Sequence, residues 1–270
     1  MAVTRRQFVQ NIGSLGAGIL SLSAPPAKAS SPHLARKRTT ATEQASPIDW
    51  QRHGVFGGIM DIYYKNSMID LAQAKRLGVK AVIYRTSLGL YDLPAEQAAY
   101  HRAKEQARSL GLLWGAFHVP SHEDVDQQLE AFFRVEDGAD GKTLMILDWE
   151  ETSRGTATIQ QMRDAVTRFR RIRGYYPMIY GGHIVAEQCG SRRDDLLARC
   201  PLWYIYLLNG KRPVLKLPKA TWSDYTLWQY STEHRAGRDP YPPDVLPGAD
   251  FSRFKGTADD LDKAWPFRQA

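Results

Sequence analysis

Two carboxylates two positions apart, Asp148 and Glu150, close the run Lys142-Thr143-Leu144-Met145-Ile146-Leu147-Asp148-Trp149-Glu150-Glu151-Thr152. The apolar residues Leu144 to Leu147 read as a buried strand of a parallel sheet. Side chains alternate faces along a strand, so Asp148 and Glu150 share one face at about 7 Å along the backbone. In α/β sheets and barrels the carboxyl ends of strands carry the chemistry, because loops build a pocket there and the sheet keeps it rigid. A second apolar run, Val55-Phe56-Gly57-Gly58-Ile59-Met60, ends in Asp61, and a short late one, Ala249-Asp250-Phe251, holds Asp250. Each acid alone has an ordinary explanation: a solvated strand end that favours the next helix's amino terminus, a cap, a turn residue. Acids at three strand ends are harder to explain by structure, since clustered like charges destabilise a fold and force one carboxyl to keep its proton. One protonated and one ionised carboxyl make the pair that cleaves a glycosidic bond. The acid protonates the leaving oxygen, and the anion stabilises the oxocarbenium-like centre or places its nucleophile.

The elements that must position these acids alternate. The pattern predicts strand 55–60, helix 68–77, strand 79–84, helix 94–110, strand 112–118, helix 123–135, strand 143–149, helix 158–172, strand 177–180 and a brief helix 183–188. Gly78, Gly111 and Gly174 stop three of the helices. Such a rhythm implies parallel strands joined by right-handed crossovers. After residue 200 it changes: strands 202–207, 226–230 and 249–251 follow with no long helix between them, and Pro213, Pro218, Pro240, Pro242 and Pro243 mark the connections. The expected fold is α/β, an irregular single-domain β/α barrel with regular βα units in its first half and a strand-rich second half.

At 270 residues and 43% hydrophobic, the chain is long enough for one large core. Thr4-Arg5-Arg6-Gln7-Phe8-Val9 resembles a twin-arginine export signal, followed by a weakly apolar stretch and the small-residue site Ala27-Lys28-Ala29. Residues 1–29 are therefore read as a signal peptide, 30–49 as a flexible tether rich in Ser, Thr, Pro and basic residues, and 50–270 as the folded domain. The apolar part of the signal is short and diluted by glycine, and no later run is long enough to span a bilayer, so no membrane insertion is expected after cleavage. The implied location is periplasmic or secreted, and a monomer is expected. Losing Arg5, Arg6 and Lys28 with the signal leaves 33 basic against 29 acidic residues, a net +4. That mild surplus suits an anionic polymer but is no nucleic-acid footprint, which needs basic residues clustered on one face. Cys189 and Cys200 are a candidate disulfide for an oxidising compartment.

Six segments taken together, Gly58-Ile59-Met60-Asp61, Leu147-Asp148-Trp149-Glu150, Pro177-Met178-Ile179-Tyr180, Pro201-Leu202-Trp203, Leu227-Trp228-Gln229-Tyr230 and Ala249-Asp250-Phe251-Ser252-Arg253-Phe254-Lys255-Gly256, resemble glycoside hydrolase family 25, the Chalaropsis-type lysozymes. The resemblance implies a modified β/α barrel with Asp61, Asp148, Glu150 and Asp250 at its active site. It also implies cleavage of the β-1,4 bond between N-acetylmuramic acid and N-acetylglucosamine in peptidoglycan, with no cofactor or metal. Glu150 is assigned as proton donor and Asp148 as the group that steadies the substrate's acetamido oxygen or a water. Asp61 and Asp250 hold charge and geometry. Backbone spacing leaves the stereochemical course open, and the resemblance favours retention. Sugar faces stack on aromatics, and Tyr63, Tyr180, Trp203, Trp228 and Tyr230 are the candidate substrate contacts, with His118 lining the barrel mouth. Two segments depart from the family pattern: Arg85-Thr86-Ser87-Leu88-Gly89 stands where a Lys-Ala-Thr-Glu-Gly-like run is usual, and Tyr63-Tyr64-Lys65-Asn66 replaces a polar segment.

Other chemistries fit less well. Pro120 breaks the helix that would bring His118 and His122 onto one metal, and the near-phosphate-loop Gly138–Thr143 precedes a strand instead of following one. No Gly-x-Ser-x-Gly elbow is present. A non-catalytic cell-wall glycan-binding barrel would keep the aromatic trough without needing a protonated acid. A metal-dependent phosphodiesterase would use the acids to hold a cation.

Overall fold

The computed structural model describes residues 47–269 except 53, 67–68, 92–93, 208–218, 233–245 and 247. The segment read as a signal peptide, most of the one read as a tether and the five loop prolines lie outside the described residues.

Strands β2 (Val55–Ile62), β3 (Ala81–Leu88), β4 (Leu113–Val119), β5 (Leu144–Asp148), β6 (Met178–Gly181), β7 (Leu202–Ile205) and β8 (Leu227–Ser231) run parallel in sequence order. The last strand, β9 (Asp250–Lys255), is antiparallel to both β8 and β2 and closes the barrel, while β1 (Gln51–Arg52) adds an antiparallel stub to β2. This is the irregular β/α barrel expected, with β9 supplying the departure from all-parallel closure. An eight-stranded barrel leaves an interior just wide enough to be filled by side chains. At Gly115 of β4 an added Cβ would lie 3.0 Å from Ile83 Cγ1, so the interior is tightly packed there and any larger residue makes the Ile83 side chain shift.

Helices cover the first half. α1 (Leu71–Arg76) starts at Asp70, whose carboxylate accepts the N–H groups of Ala72 and Gln73. α2 (Pro94–Ser109) begins with proline, which tolerates the first helical turn because its missing N–H has no partner there. α3 (Val125–Val135) is capped by Asp124, and α4 (Ile159–Arg173) by a reciprocal Thr158–Gln161 box, with left-handed Gly174 ending it. On α4, Met162, Ala165, Val166 and Phe169 recur at three- and four-residue spacing and are buried against the sheet. α5 (His183–Cys189) is short. α6 (Ala258–Ala264), which the strand-rich reading of the second half missed, follows β9 and carries its own box between Thr257 and Asp260. At the amino end, Ile48 donates its N–H to Leu77 O at 3.0 Å and Trp50 Nε1 donates to the same carbonyl at 2.8 Å, anchoring the start of the domain beneath β3.

Candidate active site

All four candidate acids lie at one end of the barrel. Asp61, next to last in β2, is the register partner of Asp250, the first residue of antiparallel β9. Directly opposed residues carry their Cβ atoms about 5 Å apart. Asp148 ends β5, and its register partner on β6 is Tyr180, about 4.8 Å away in the hydrogen-bonding direction. Glu150 lies two residues beyond the strand, and the intervening Trp149 N–H donates to Tyr180 O at 2.9 Å. All four are buried at 0–5% exposure, a level at which carboxylates persist only for a structural or chemical reason.

A chain of side chains runs through the interior from Tyr180, the register partner of Asp148, to Asp250. Tyr180 Oη donates to Gln229 Oε1 at 2.6 Å, and Gln229 Nε2 donates to Asp250 Oδ2 at 2.9 Å. Trp203 packs edge-on against Tyr180, with ring centroids 4.5 Å apart, and donates Nε1–H to Ser252 Oγ at 2.9 Å. Gln229 is fully buried and was not singled out from the sequence. The signal was there, however: a lone amide within the otherwise apolar and aromatic run Leu227–Tyr230 needs a partner in the interior.

The mouth loops are tied together beside these acids. Glu123 accepts hydrogen bonds from Leu90 N–H and Ser121 Oγ, both at 2.8 Å, and from Arg154 Nη2 at 3.2 Å, so one carboxylate joins the loops after β3, β4 and β5. Partial burial opposes its ionisation, but those bonds outweigh burial and hold the carboxyl below its ordinary value. The two segments that depart from the family pattern meet here. The Arg85 guanidinium lies 4.7 Å from the ring centre of Tyr63 and 5.9 Å from that of Tyr64, with Glu96 at 3.8 Å on its other side. Burial raises the Glu96 carboxyl, with Arg85 and Lys65 pulling the other way. Among the described residues no group of three or more His, Cys, Asp or Glu is arranged to hold a metal ion.

The profile described as glycosyl hydrolases family 25 matches residues 60–238, about two thirds of the chain. The chain belongs to glycosyl hydrolase family 25. Solved structures agree. A muramidase from Trichobolus zukalii aligns with TM-score 0.58 and 26% identity over 76% of this chain and 96% of that one. A muramidase from Acremonium alcalophilum aligns with TM-score 0.59 and 26% identity over 75% and 95%. A family 25 lysozyme from Aspergillus fumigatus, 22% identical, shares the fold with TM-score 0.61 over 77% and 98%. No curated protein sequence matches the chain. As a family 25 member the protein is a glycoside hydrolase.

Several residues expected at the family 25 site lie elsewhere. His118 does not line the mouth: strand alternation turns it to the outer face of β4, where it stacks on Phe132 of α3 with ring centres 5.5 Å apart and Nδ1 lies 2.8 Å from Ser87 Oγ. Burial holds its imidazole down at about 4 against an ordinary 6.5, with Gln128 and Glu123 opposing. A His kept neutral in the fold but protonated in the unfolded chain gives stability that is present above pH 6.5 and lost as pH falls towards 4. That loss is on the order of 3 kcal/mol for wild type. Urea unfolding of wild type and His118→Phe at pH 7 and pH 4 should show this component of the acid sensitivity vanish in the variant. An unchanged acid dependence would contradict a buried neutral imidazole.

Trp228 and Tyr230 alternate away from Gln229 onto the outer face of β8, where the Arg253 guanidinium sits 5.4 and 4.4 Å from their ring centres. Trp228 Nε1 donates to Tyr206 O at 2.9 Å. Tyr180 and Trp203 face the interior beside the acids, each 1% exposed, and Tyr63, at the mouth, is the most open to solvent of the six expected contacts. The disulfide is not formed. Cys189, at the end of α5, and Cys200, after the turn Leu197–Arg199, are both free and buried, each packed as a small apolar group in the core. Burial, with Asp194 adding to it, pushes the Cys189 thiol up to about 11 and the Cys200 thiol well above its ordinary value, so both are inert thiols.

Proposed function

We propose that the protein is an exported muramidase that cleaves the β-1,4 bond between N-acetylmuramic acid and N-acetylglucosamine in peptidoglycan. The observation that carries this reading is the Asp148-Trp149-Glu150 end of β5, set in a family 25 barrel at the same mouth as the opposed pair Asp61 and Asp250. Glu150 gives its proton to the glycosidic oxygen as the bond breaks. Asp148, as the anion, steadies the positive charge developing at the anomeric carbon by orienting the acetamido oxygen or a water. Asp61 and Asp250 stay out of bond making and keep the pocket's charge and shape. The muramidases of Trichobolus zukalii and Acremonium alcalophilum support the bond choice by likeness. The twin-arginine-like Thr4–Val9 segment, outside the described residues, supports export to where the polymer lies. Among the described residues no helix is long and apolar enough to cross a membrane.

Digesting purified peptidoglycan, reducing the new ends with borohydride and identifying the reduced amino sugar tests the assignment. Muramidase cleavage leaves N-acetylmuramitol, in chelator as well as without it. Reduced glucosamine would move the cut to the other linkage. Binding without new reducing ends would favour the non-catalytic barrel, and release of phosphomonoester, abolished by chelator and without new reducing ends, would favour a metal-dependent phosphodiesterase.

A further inference from the structure

One fully buried polar residue of the interior takes no part in the bond cleavage assigned to the four acids. Gln229 is 0% exposed on β8, between Ile205 of β7 and Ser252 of β9 in register. Its amide reaches both ways, accepting from Tyr180 at 2.6 Å and donating to Asp250 at 2.9 Å, with a longer contact from Nε2 to Ser231 O at 3.4 Å. Tyr180 stands beside Asp148 in register, and Asp250 stands opposite Asp61. One amide therefore joins the β5–β6 side of the mouth to the β2–β9 side.

We propose that Gln229 is a positioning residue that locks the Tyr180 hydroxyl and the Asp250 carboxylate into a single polarised relay, running from the tyrosine beside Asp148 to the Asp61–Asp250 pair. A tyrosine hydroxyl has one hydrogen, and here it is committed to Gln229 Oε1, so any other hydrogen bond at that oxygen is one it accepts. With Oε1 occupied, Nε2 is turned to Asp250 Oδ2, which must then carry a lone pair and not a proton. The amide does what neither a carboxylate nor an apolar side chain of equal length can do, since it accepts at one end and donates at the other with no net charge. The inference rests on the muramidase reading and adds a residue to the machinery of that site.

Two near-isosteric variants separate positioning from packing. Gln229→Met keeps length and buries no charge but breaks both bonds; its kcat on soluble peptidoglycan fragments is expected to fall about 10- to 100-fold, the usual effect of stranding a buried polar partner, with KM little changed. Gln229→Glu restores the relay only when protonated, because its carboxylic O–H then donates to Asp250 while its carbonyl accepts from Tyr180. The titratable groups bonded to position 229 are Tyr180 on β6 and Asp250 on β9, with Asp148 on β5 beside the first and Asp61 on β2 opposite the second in register, and the carboxylates among them disfavour a further negative charge.

Gln229→Glu should therefore match Gln229→Met near pH 8 and recover towards the wild-type rate as pH falls to about 5, an acid rescue that the methionine variant lacks. A second readout needs no substrate. The carboxyl introduced at position 229 is buried and has its folded-state pKa raised above the unfolded value, so its stabilising bonds are present at low pH and lost as pH rises. The Tm gap between Gln229→Glu and wild type narrows as pH falls. Wild-type-like activity in Gln229→Met, or two variants whose rates stay parallel at every pH, overturns the proposal. If wild type itself releases no reducing ends, the muramidase reading fails, and the melts still decide the relay: a Tm gap constant with pH ends it.

Discussion

Glu150→Gln should lower release of reducing ends from peptidoglycan by about 1,000-fold while leaving the thermal midpoint within a few degrees of wild type. Glutamine keeps the size and the hydrogen-bonding capacity of the side chain but has no proton to give the leaving oxygen, so the deficit belongs to the transition state and not to the fold. Binding of insoluble peptidoglycan, measured by co-sedimentation, should survive. Asp148→Asn is expected to lower the rate as well, because the anion proposed to steady the anomeric carbon is lost. Asp61→Asn and Asp250→Asn should cost less than either, since the proposed mechanism keeps those acids out of bond breaking. Equal release by wild type and Glu150→Gln would remove Glu150 as proton donor.

Glu136→Ala should destabilise the protein by about 3–5 kcal/mol, the usual cost of stranding a buried charged partner, with activity at room temperature intact. Glu136 ends α3 at the far end of the barrel from the acids and is 2% exposed. Tyr100 and Lys104 of α2 both donate to its Oε2, Gly138 N–H donates to Oε1 at 2.8 Å, and Trp114 Nε1 donates to Tyr100 Oη at 3.0 Å. Burial first, and the neighbouring Glu136 charge second, raise the Tyr100 hydroxyl well above its ordinary value, so it stays a donor. Removing the carboxylate strands an ammonium, a phenol and a backbone N–H together. The midpoint of thermal unfolding should drop by about 10 °C. Loss of activity without loss of stability would mean that this hub communicates with the site, contrary to its position.

The parallel half of the barrel was legible because each strand is a short apolar run between helices with clear stops, such as Gly111 and Gly174. The acids were legible because a charge that ends an apolar run stands out. Which aromatics face inward was not. Strands buried on both faces carry no polar alternation to set their phase, so Trp228 and Tyr230 looked as suitable for a sugar as Tyr180. In β8 the phase was available all along in Gln229, whose amide had to face the interior and so sent its two neighbours out. His118 was misplaced for the same reason, one residue out of phase with Phe117. The opposition of Asp61 and Asp250 could not be read at all, since it depends on β9 running antiparallel, which no local pattern announces. The cysteine spacing was compatible with a bridge, but a bridge needs Cα atoms close together, and separation along the chain does not report that.

Because β9 both bonds to β2 and contributes Asp250, a chain interrupted before residue 250 has neither a shut cylinder nor its fourth acid. Two unpaired strand borders would be left open on such a fragment, the kind of surface on which chains stick to one another. The pairing that joins the first barrel strand to the last also spans nearly the whole folded domain, which makes it among the slowest to find during folding. During synthesis the four acids of a hydrolase built this way come together at one mouth only once its final strand has emerged.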